Sequence, residues 1–255
     1  MAEKLRDFEA ASHGGLAILR TRADLVTLEA RRARGEPVVG ALLALEGAHA
    51  AEGVPGNLAR LFEAGYRMLG LTHFFDNDYA GSAHGIHKGG LTPLGHETLQ
   101  QMEALGMAVD LAHLSPAAID DVLALASKPV VVSHGGVQGT CPGPRTLSDA
   151  HVRGIAATGG VIGIGYFEGA VCGTRPRHVV DGVLYVIEQV GDAYVALGSD
   201  YDGATRVGFD TSELRALTQA LLDAGLGDES LKRVLGGNAR RVLSQTLPAG
   251  TGGTP

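Results

Sequence analysis

What the sequence lacks excludes several classes of protein. It has no tryptophan and only two cysteines in 255 residues, too few for a disulfide framework or, by themselves, for a zinc ribbon. Its 21 lysines and arginines are outnumbered by 28 aspartates and glutamates, so the net charge is −7. That balance lacks the basic patch by which proteins bind nucleic acid or an anionic membrane surface. We therefore expect neither of these as a partner.

Long hydrophobic runs are also missing. No uninterrupted apolar stretch approaches the roughly 18–20 residues that a membrane-spanning helix needs. Residues 1–20 mix acidic and basic side chains with alanines, unlike a secretory signal. The sequence therefore predicts a soluble cytoplasmic protein.

Glycine, by contrast, is abundant, with 38 of the 255 residues, roughly double its average use. Proline is not raised with it, at 10 residues, which excludes a collagen-like chain. The glycines interrupt apolar runs, a pattern typical of folds with many tight turns between strands and helices.

Strand-like and helix-like segments alternate along the chain. Short apolar segments predict six buried strands, at residues 38–45, 67–71, 108–111, 129–132, 160–164 and 194–197. Helices are predicted at residues 58–64, 98–105, 116–126, 148–158, 179–190, 212–224 and 230–236, with Ser115 as a good N-cap. Continuous apolar strands separated by helices indicate an α/β fold with a parallel sheet covered on both faces. We expect a single domain over residues 1–246 and a flexible tail over 247–255.

Ionisable residues stand where these strands end, namely Glu46, His73, His113, His134 and Asp200. In a parallel α/β fold the carboxyl ends of the strands open onto one face, so residues distant in sequence converge there. Carboxylate and imidazole ligands without thiolate suit zinc or a similar divalent ion. The pattern predicts a metal site with acid–base groups beside it.

Simpler explanations exist for the individual residues. A single histidine after a strand is more often a hydrogen-bonded turn residue than a ligand, but three in the same relative position are harder to explain that way. Asp110 can be a structural carboxylate inside its strand, Asp202 can be a turn residue, and Gly236 with Gly237 can end a helix. The remaining histidines are expected at the surface or in caps: His13, His49, His84, His87, His96, His151 and His178.

Nine short motifs follow one another along the chain and, taken together, resemble those of a known family. In order they are LEGAH (45–49), LTHFFDND (71–78), GGLTPLG (89–95), GMAVDLAHLS (106–115), PVVVSH (129–134), PRTLSD (144–149), GGVIGIG (159–165), VALGSDYDG (195–203) and GGNARRVL (236–243). Together they resemble the renal or membrane dipeptidase family, peptidase family M19, among the amidohydrolase-like metal-dependent hydrolases. The resemblance covers essentially all of residues 38–243.

This resemblance implies a (β/α)8 barrel of the TIM type with a binuclear zinc centre. Carried over by position, Glu46 would bridge the two metals, and His113 and His134 would complete the second zinc site. The family pattern opens with a strand ending in His-x-Asp, which completes the first zinc site, and no such motif precedes Glu46. His13 is the nearest candidate, but the aspartate and the preceding strand are lacking. We therefore expect one of the two zinc sites.

The resemblance also implies roles for the substrate-binding residues. His73 would bind the substrate carbonyl and stabilise the oxyanion, and Arg145 would hold the terminal carboxylate. Asp200 would pass the proton of the attacking water to the leaving amine. Cys141 and Cys172 stand where some relatives form a disulfide, but in a cytoplasmic chain we expect reduced thiols.

The N-terminal region departs from the family pattern. Residues 1–36 are helical in character, like the helix before the third barrel strand, so we expect about six of the eight strands. A start site placed too late, a natural truncation and a partner chain that closes the sheet are all open explanations. Because a gap two strands wide exposes strand edges, we expect a homodimer or an N-terminal helix over the gap.

The predicted function is that of a zinc-dependent dipeptidase in which a metal-activated water hydrolyses the peptide bond of a dipeptide, with activity impaired by the missing ligands. The alternative is a non-catalytic relative that binds a metal or a small peptide.

Overall fold

Helices and strands alternate along the chain, whose computed structural model describes residues 1–250. The helices are α1 (Ala2–Ala11), α2 (Arg22–Ala33), α3 (Pro55–Ala64), α4 (Pro93–Leu105), α5 (Pro116–Leu125), α6 (Asp149–Ala157), α7 (Glu168–Val171), α8 (Pro176–Val190), α9 (Leu214–Asp223), α10 (Asp228–Lys232) and α11 (Asn238–Thr246). The strands are β1 (Leu16–Ile18), β2 (Val39–Ala41), β3 (Leu43–Glu46), β4 (Tyr66–Gly70), β5 (Ala108–Asp110), β6 (Val131–Val137), β7 (Thr146–Leu147), β8 (Val161–Ile164) and β9 (Val195–Leu197). None of the helices within residues 1–250 is long and apolar enough to cross a bilayer.

The main sheet has the strand order β3-β4-β5-β6-β8-β9, and every neighbouring pair is parallel. Strand β7 adds to one end of β6, and β1 pairs with β2 in a separate parallel sheet. No ladder joins β9 back to β3 in the part of the chain that is described. This arrangement confirms the α/β prediction and an incomplete barrel of the TIM type.

The N-terminal region differs from the sequence prediction. Residues 1–36 were expected to be largely helical, which α1 and α2 confirm, but Leu16–Ile18 form a strand, β1, parallel to β2 with Leu16 opposite Val39. Three residues are too few for strand periodicity to show. The single strand predicted over residues 38–45 is two strands, because β2 pairs with β1 whereas β3 pairs with β4.

The largest hydrophobic core fills the space between the sheet and the helices that cover it. Its fully buried side chains include Leu69, Leu71, Met102, Leu111, Ile162 and Ile164. Burial of one such side chain stabilises the fold by roughly 1.5–3 kcal/mol. Hydroxyl caps begin α2, α4, α5 and α6. The predicted N-cap is confirmed: Ser115 accepts a hydrogen bond from the amide of Ala118 at the start of α5.

The C-terminal segment returns to the body of the protein. At Gly236 the backbone leaves the helical region (φ 153°), so the chain kinks before α11 begins. Leu247, where the tail was predicted to start, is buried, and the carbonyl of Pro248 accepts a hydrogen bond from the amide of Arg22. The remainder of the predicted tail, residues 251–255, lies outside the described residues.

Candidate functional site

The carboxyl ends of β3, β5 and β6, strands of one parallel sheet with β4 between β3 and β5, bring the three predicted ligands together. Glu46 closes β3, His113 follows β5 by three residues, and His134 lies within β6. The Oε1 atom of Glu46 is 2.7 Å from His113 Nε2 and 3.2 Å from His134 Nε2. The two Nε2 atoms are 3.2 Å apart. One donor atom from each residue thus lies within 4.8 Å of the others, close enough to hold one metal ion.

The chemistry of this donor set fits a divalent metal. A single proton can be shared by only two of these atoms, whereas a metal ion accepts a lone pair from all three. The Nδ1 atom of His134 is 2.9 Å from the Ser133 hydroxyl; a hydrogen on Nδ1 leaves the Nε2 lone pair free for a metal. Two imidazoles and one carboxylate suit zinc or a similar ion, and three protein ligands with an open fourth position are typical of catalytic zinc.

Burial and charge shift the pKa values of the three ligands in different directions. Hydrogen bonds with His113 and His134 hold the pKa of Glu46 well below its ordinary range. Burial lowers the pKa of His113 to about 4. Burial also acts to lower the pKa of His134. The hydrogen bond with Glu46 and the negative charges of Asp110 and Asp200 outweigh burial, so the pKa of His134 is raised overall. At neutral pH the group therefore presents an ionised carboxylate and a neutral His113, the forms that bind a metal.

Asp200 lies beside this group on a strained backbone. It follows β9 by three residues with a φ of 56°, in the left-handed region that non-glycine residues seldom adopt. Its Oδ2 atom is 3.9 Å from His134 Nε2. A Cβ on Gly203 would come within 2.2 Å of the Asp200 carboxylate, so a larger residue there would displace that carboxylate. Burial and the charge of Glu46 raise the pKa of Asp200, which suits a group that accepts and returns a proton.

Asp110, the last residue of β5, has the structural role that the sequence left open. Its buried carboxylate accepts hydrogen bonds from the amides of Ala112 (3.0 Å) and Ser133 (2.9 Å). These bonds join the end of β5 to β6, next to the two histidine ligands, and so fix the spacing of the strands at the site.

The long loop between β4 and α4 forms one wall of the site. His73 Nε2 is 3.7 Å from Glu46 Oε2, and the His73 ring lies edge-on to the His113 ring with centroids 4.4 Å apart. The Phe74 ring packs against His73 at 4.5 Å, and the His84 ring is 5.1 Å from Phe74. The cavity of about 220 Å³ that they enclose is also lined by Arg145, Phe167, Gly169, Asp200, Gly203 and Thr205.

Arg145 reaches this cavity from the loop that precedes β7. Its side chain is largely buried, and its Nη1 atom has no hydrogen-bond partner among residues 1–250. Burial lowers the pKa of Arg145, but a guanidinium in a protein stays protonated. An N–H group of a buried guanidinium is therefore available to an anionic group in the cavity.

The two cysteines differ from the sequence prediction. Reduced thiols were expected, but Cys141 and Cys172 form a disulfide, with their Cα atoms 5.4 Å apart. They lie close because β6 and β8 are neighbours in the sheet, so the loops that follow these strands meet. The bridge joins the loop that carries Arg145 to the end of α7.

Sequence reasoning missed other residues of the wall. His84 was expected at the surface or in a cap, and its side chain is exposed. The sequence did not indicate that it also lines the cavity, together with Phe74 and Phe167. His84 and Phe74 lie in a loop without regular secondary structure, and no periodicity in the sequence shows where such a loop folds back. The motif LTHFFDND marked the start of this loop, but only the folded chain places His84 over the site.

Comparisons with known proteins identify a family for the chain. The sequence model described as "Membrane dipeptidase (Peptidase family M19)" matches residues 2–250. The protein "Dipeptidase verJ" of Clonostachys rogersoniana is 34% identical over 80% of this chain and 55% of its own length. A protein of Klebsiella pneumoniae described as "Uncharacterized protein in pqqA 5'region" is 30% identical over 94% of this chain and 92% of its own length. The chain thus spans about half the length of the curated fungal dipeptidases that it matches.

Solved structures share the fold. A metallopeptidase from Rhodobacter sphaeroides, crystallised with a phosphinate mimic of the dipeptide L-Ala-D-Ala, superposes with a TM-score of 0.84 at 25% identity, over 96% of this chain and 73% of that one. The probable dipeptidase PvdM from Pseudomonas aeruginosa gives a TM-score of 0.86 at 20% identity, over 96% and 78%, which shows the fold alone. The family match over residues 2–250, with the relatives that support it, confirms the resemblance seen in the motifs: the chain belongs to the membrane dipeptidase family, peptidase family M19.

Proposed function

We propose that this chain is a zinc-dependent dipeptidase, which hydrolyses the peptide bond of dipeptides. The observation that carries the proposal is the convergence of Glu46, His113 and His134 on one point, with Asp200 and Arg145 in the same cavity. Membership of the family and the dipeptidase names of two relatives support it.

Glu46, His113 and His134 are the residues that would hold the metal. Bound zinc supplies a Lewis acid and a water of lowered pKa. Relatives are expected to hold a second zinc through a His-x-Asp motif, which the sequence before Glu46 does not contain. Glu46, His113 and His134 account for one zinc site, and we propose that these three residues hold one zinc ion.

The cavity has the charge distribution that a dipeptide needs. A dipeptide carries an ammonium group at one end and a carboxylate at the other. Arg145 provides a guanidinium for the carboxylate, and the carboxylates of Glu46 and Asp200 make the rest of the cavity favourable to the cationic end. The mimic of L-Ala-D-Ala bound to the Rhodobacter relative supports a ligand of this size.

His73 and Asp200 would handle the charge and the proton of the reaction. His73, on the wall next to Glu46, donates a hydrogen bond to the carbonyl oxygen as negative charge develops on it. Asp200 accepts a proton from the attacking water at its carboxylate and returns it to the nitrogen of the leaving amine. The raised pKa of Asp200 favours this double role.

Metal content and turnover test the proposal together. Purified protein should contain about one zinc per chain by elemental analysis, and Glu46→Gln should lose both the zinc and the cleavage of a dipeptide such as Ala-Ala. Glu63→Gln, at an exposed position of α3, is the matched control and should keep both. Zinc-free protein that zinc cannot activate would refute the assignment.

The second candidate is a non-catalytic relative that binds a metal or a small peptide. The observation in its favour is the ligand group of three residues, where the family pattern has further ligands on a His-x-Asp strand. Stoichiometric zinc binding with no cleavage of any dipeptide in a broad panel would select this candidate.

We also propose that two copies associate, because β3 and β9 have unpaired edges within residues 1–250. Sedimentation at several concentrations tests this: a monomer at all of them would exclude it. The cytoplasmic location stays a prediction, and the Cys141–Cys172 disulfide weighs against it since such bonds persist mainly in oxidising compartments.

A further inference from the structure

The reaction described above leaves one histidine of the cavity wall without a role. His84 has a fixed backbone: its amide is 3.2 Å from the Ser82 hydroxyl, and the preceding amide, of Ala83, donates to the carbonyl of His113 at 2.8 Å. The amide of Ser82 in turn donates to the carboxylate of Asp76 at 2.8 Å. These bonds tie the segment directly to the strand end that carries a metal ligand. The position of His84 is therefore set by the fold.

The imidazole of His84 lies at the mouth of the site. Its ring centroid is 5.1 Å from that of Phe74 and 6.5 Å from that of His113. The same ring lines the cavity that contains Arg145 and Asp200. The His84 side chain is exposed rather than buried, so its ring nitrogens can reach a ligand at the mouth of the cavity.

The cavity is lined by groups of both kinds: the hydrogen-bond donors Arg145, His73 and His84, and the carboxylates of Glu46 and Asp200. Burial, followed by the positive charges of Arg145 and Lys88, lowers the pKa of His84. His84 therefore lies near the cationic side chains of Arg145 and Lys88, and it shares the lining of the cavity with Arg145.

The geometry of a dipeptide connects this region to one part of the substrate. The terminal carboxylate and the side chain of the second residue branch from the same carbon atom. When Arg145 holds that carboxylate, the second side chain starts only two bonds away, in the cavity that His84 also lines. A short acidic side chain there can accept a hydrogen bond from His84, near the positive charges of Arg145 and Lys88.

We propose that His84 is a specificity-determining residue that favours dipeptides whose second residue is aspartate or glutamate. The proposal rests on the proposed function, since it takes Arg145 as the site of the terminal carboxylate. An amide side chain of the same size lacks the charge, so the comparison of Asp with Asn, or Glu with Gln, isolates the effect.

Paired substrates test this directly. For zinc-loaded protein, kcat/KM is measured for Ala-Asp against Ala-Asn and for Ala-Glu against Ala-Gln, with both stereoisomers of the second residue. The acid should be preferred by about tenfold, the size expected from one hydrogen bond to a charged group. His84→Ala should bring the ratio close to one, and His84→Gln, which keeps a donor, should retain part of it. His87→Ala, at an exposed position of the same loop, should leave the ratio unchanged.

Dissociation constants for the same pairs, measured by calorimetry, give the ratio without turnover. Two results would overturn the proposal for His84 without affecting dipeptide cleavage. One is an acid-to-amide ratio of one in the native chain, and the other is a ratio that does not change in His84→Ala. Selective binding of the acidic dipeptides without cleavage would support His84 and refute the dipeptidase activity. Failure to bind any dipeptide would refute both.

Discussion

Reduction of the Cys141–Cys172 disulfide should lower the stability of the fold by an amount that can be estimated from the chain. The bridge closes a loop with a sequence separation of 31 residues. Loop-closure entropy for that length gives about 3.7 kcal/mol at 25 °C. With an unfolding entropy of roughly 2.1 cal/mol/K per residue, a chain of 255 residues should lose about 7 °C in Tm.

The assay compares the oxidised and reduced forms of the native chain, which differ only by the covalent bond. Cys172 is exposed, so a phosphine reductant can reach the bridge without unfolding the protein. Thermal unfolding is followed by circular dichroism, and free thiols are counted in denaturant before and after reduction. The variant Cys141→Ala/Cys172→Ala is the control, and its Tm should not respond to the reductant.

Two results would refute this reasoning. Two free thiols in protein purified without reductant would show that the bridge does not form. Equal Tm values for the oxidised and reduced forms would show that the bridge does not restrict the unfolded chain, or that strain in the folded state offsets that restriction.

Three further predictions concern the site and the core. Arg145→Gln should raise KM for dipeptides by about 10- to 100-fold with a smaller change in kcat, because a charged hydrogen bond to the substrate is lost; steady-state kinetics separates the two constants. Asp200→Asn should lower kcat by about 10²- to 10⁴-fold while zinc content stays the same, as expected for loss of a general acid–base. Leu69→Ala, at a fully buried position of β4, should lower the free energy of unfolding by about 2–5 kcal/mol in urea.

The main sheet could be predicted from sequence because its strands are continuous apolar runs between helices. Residues 160–164 correspond to β8, for example, within one residue. Hydrophobic patterning does not predict strand boundaries that depend on which strands pair. The run from Val38 to Leu45 has no break in hydrophobicity, yet its first half pairs with β1 and its second half with β4. His134 was placed after its strand, but the backbone remains in the sheet through Val137, with a register shift between Val132 and Gly135.

The candidate ligands could be identified because each is adjacent to a strand, and the order of strands in a parallel sheet brings strand ends together. The position of His84 and the pairing of the cysteines depend on how long loops fold against one another. Nothing local in the sequence records those contacts. The disulfide follows from the adjacency of β6 and β8, which is a property of the sheet order and cannot be read from the residues around Cys141.

Because the barrel is open between β3 and β9, two groups of the candidate site lie on its two edge strands. Glu46 ends β3, and Asp200 follows β9, and no backbone ladder links these strands within residues 1–250. In a closed barrel, hydrogen bonds around the ring would hold such groups at a set spacing. Here a bound metal that contacts Glu46, together with a substrate that contacts Asp200, would link the two edge strands of the sheet, β3 and β9. Ligand binding should therefore slow amide hydrogen exchange along β3 and β9 more than along β5, in the middle of the sheet.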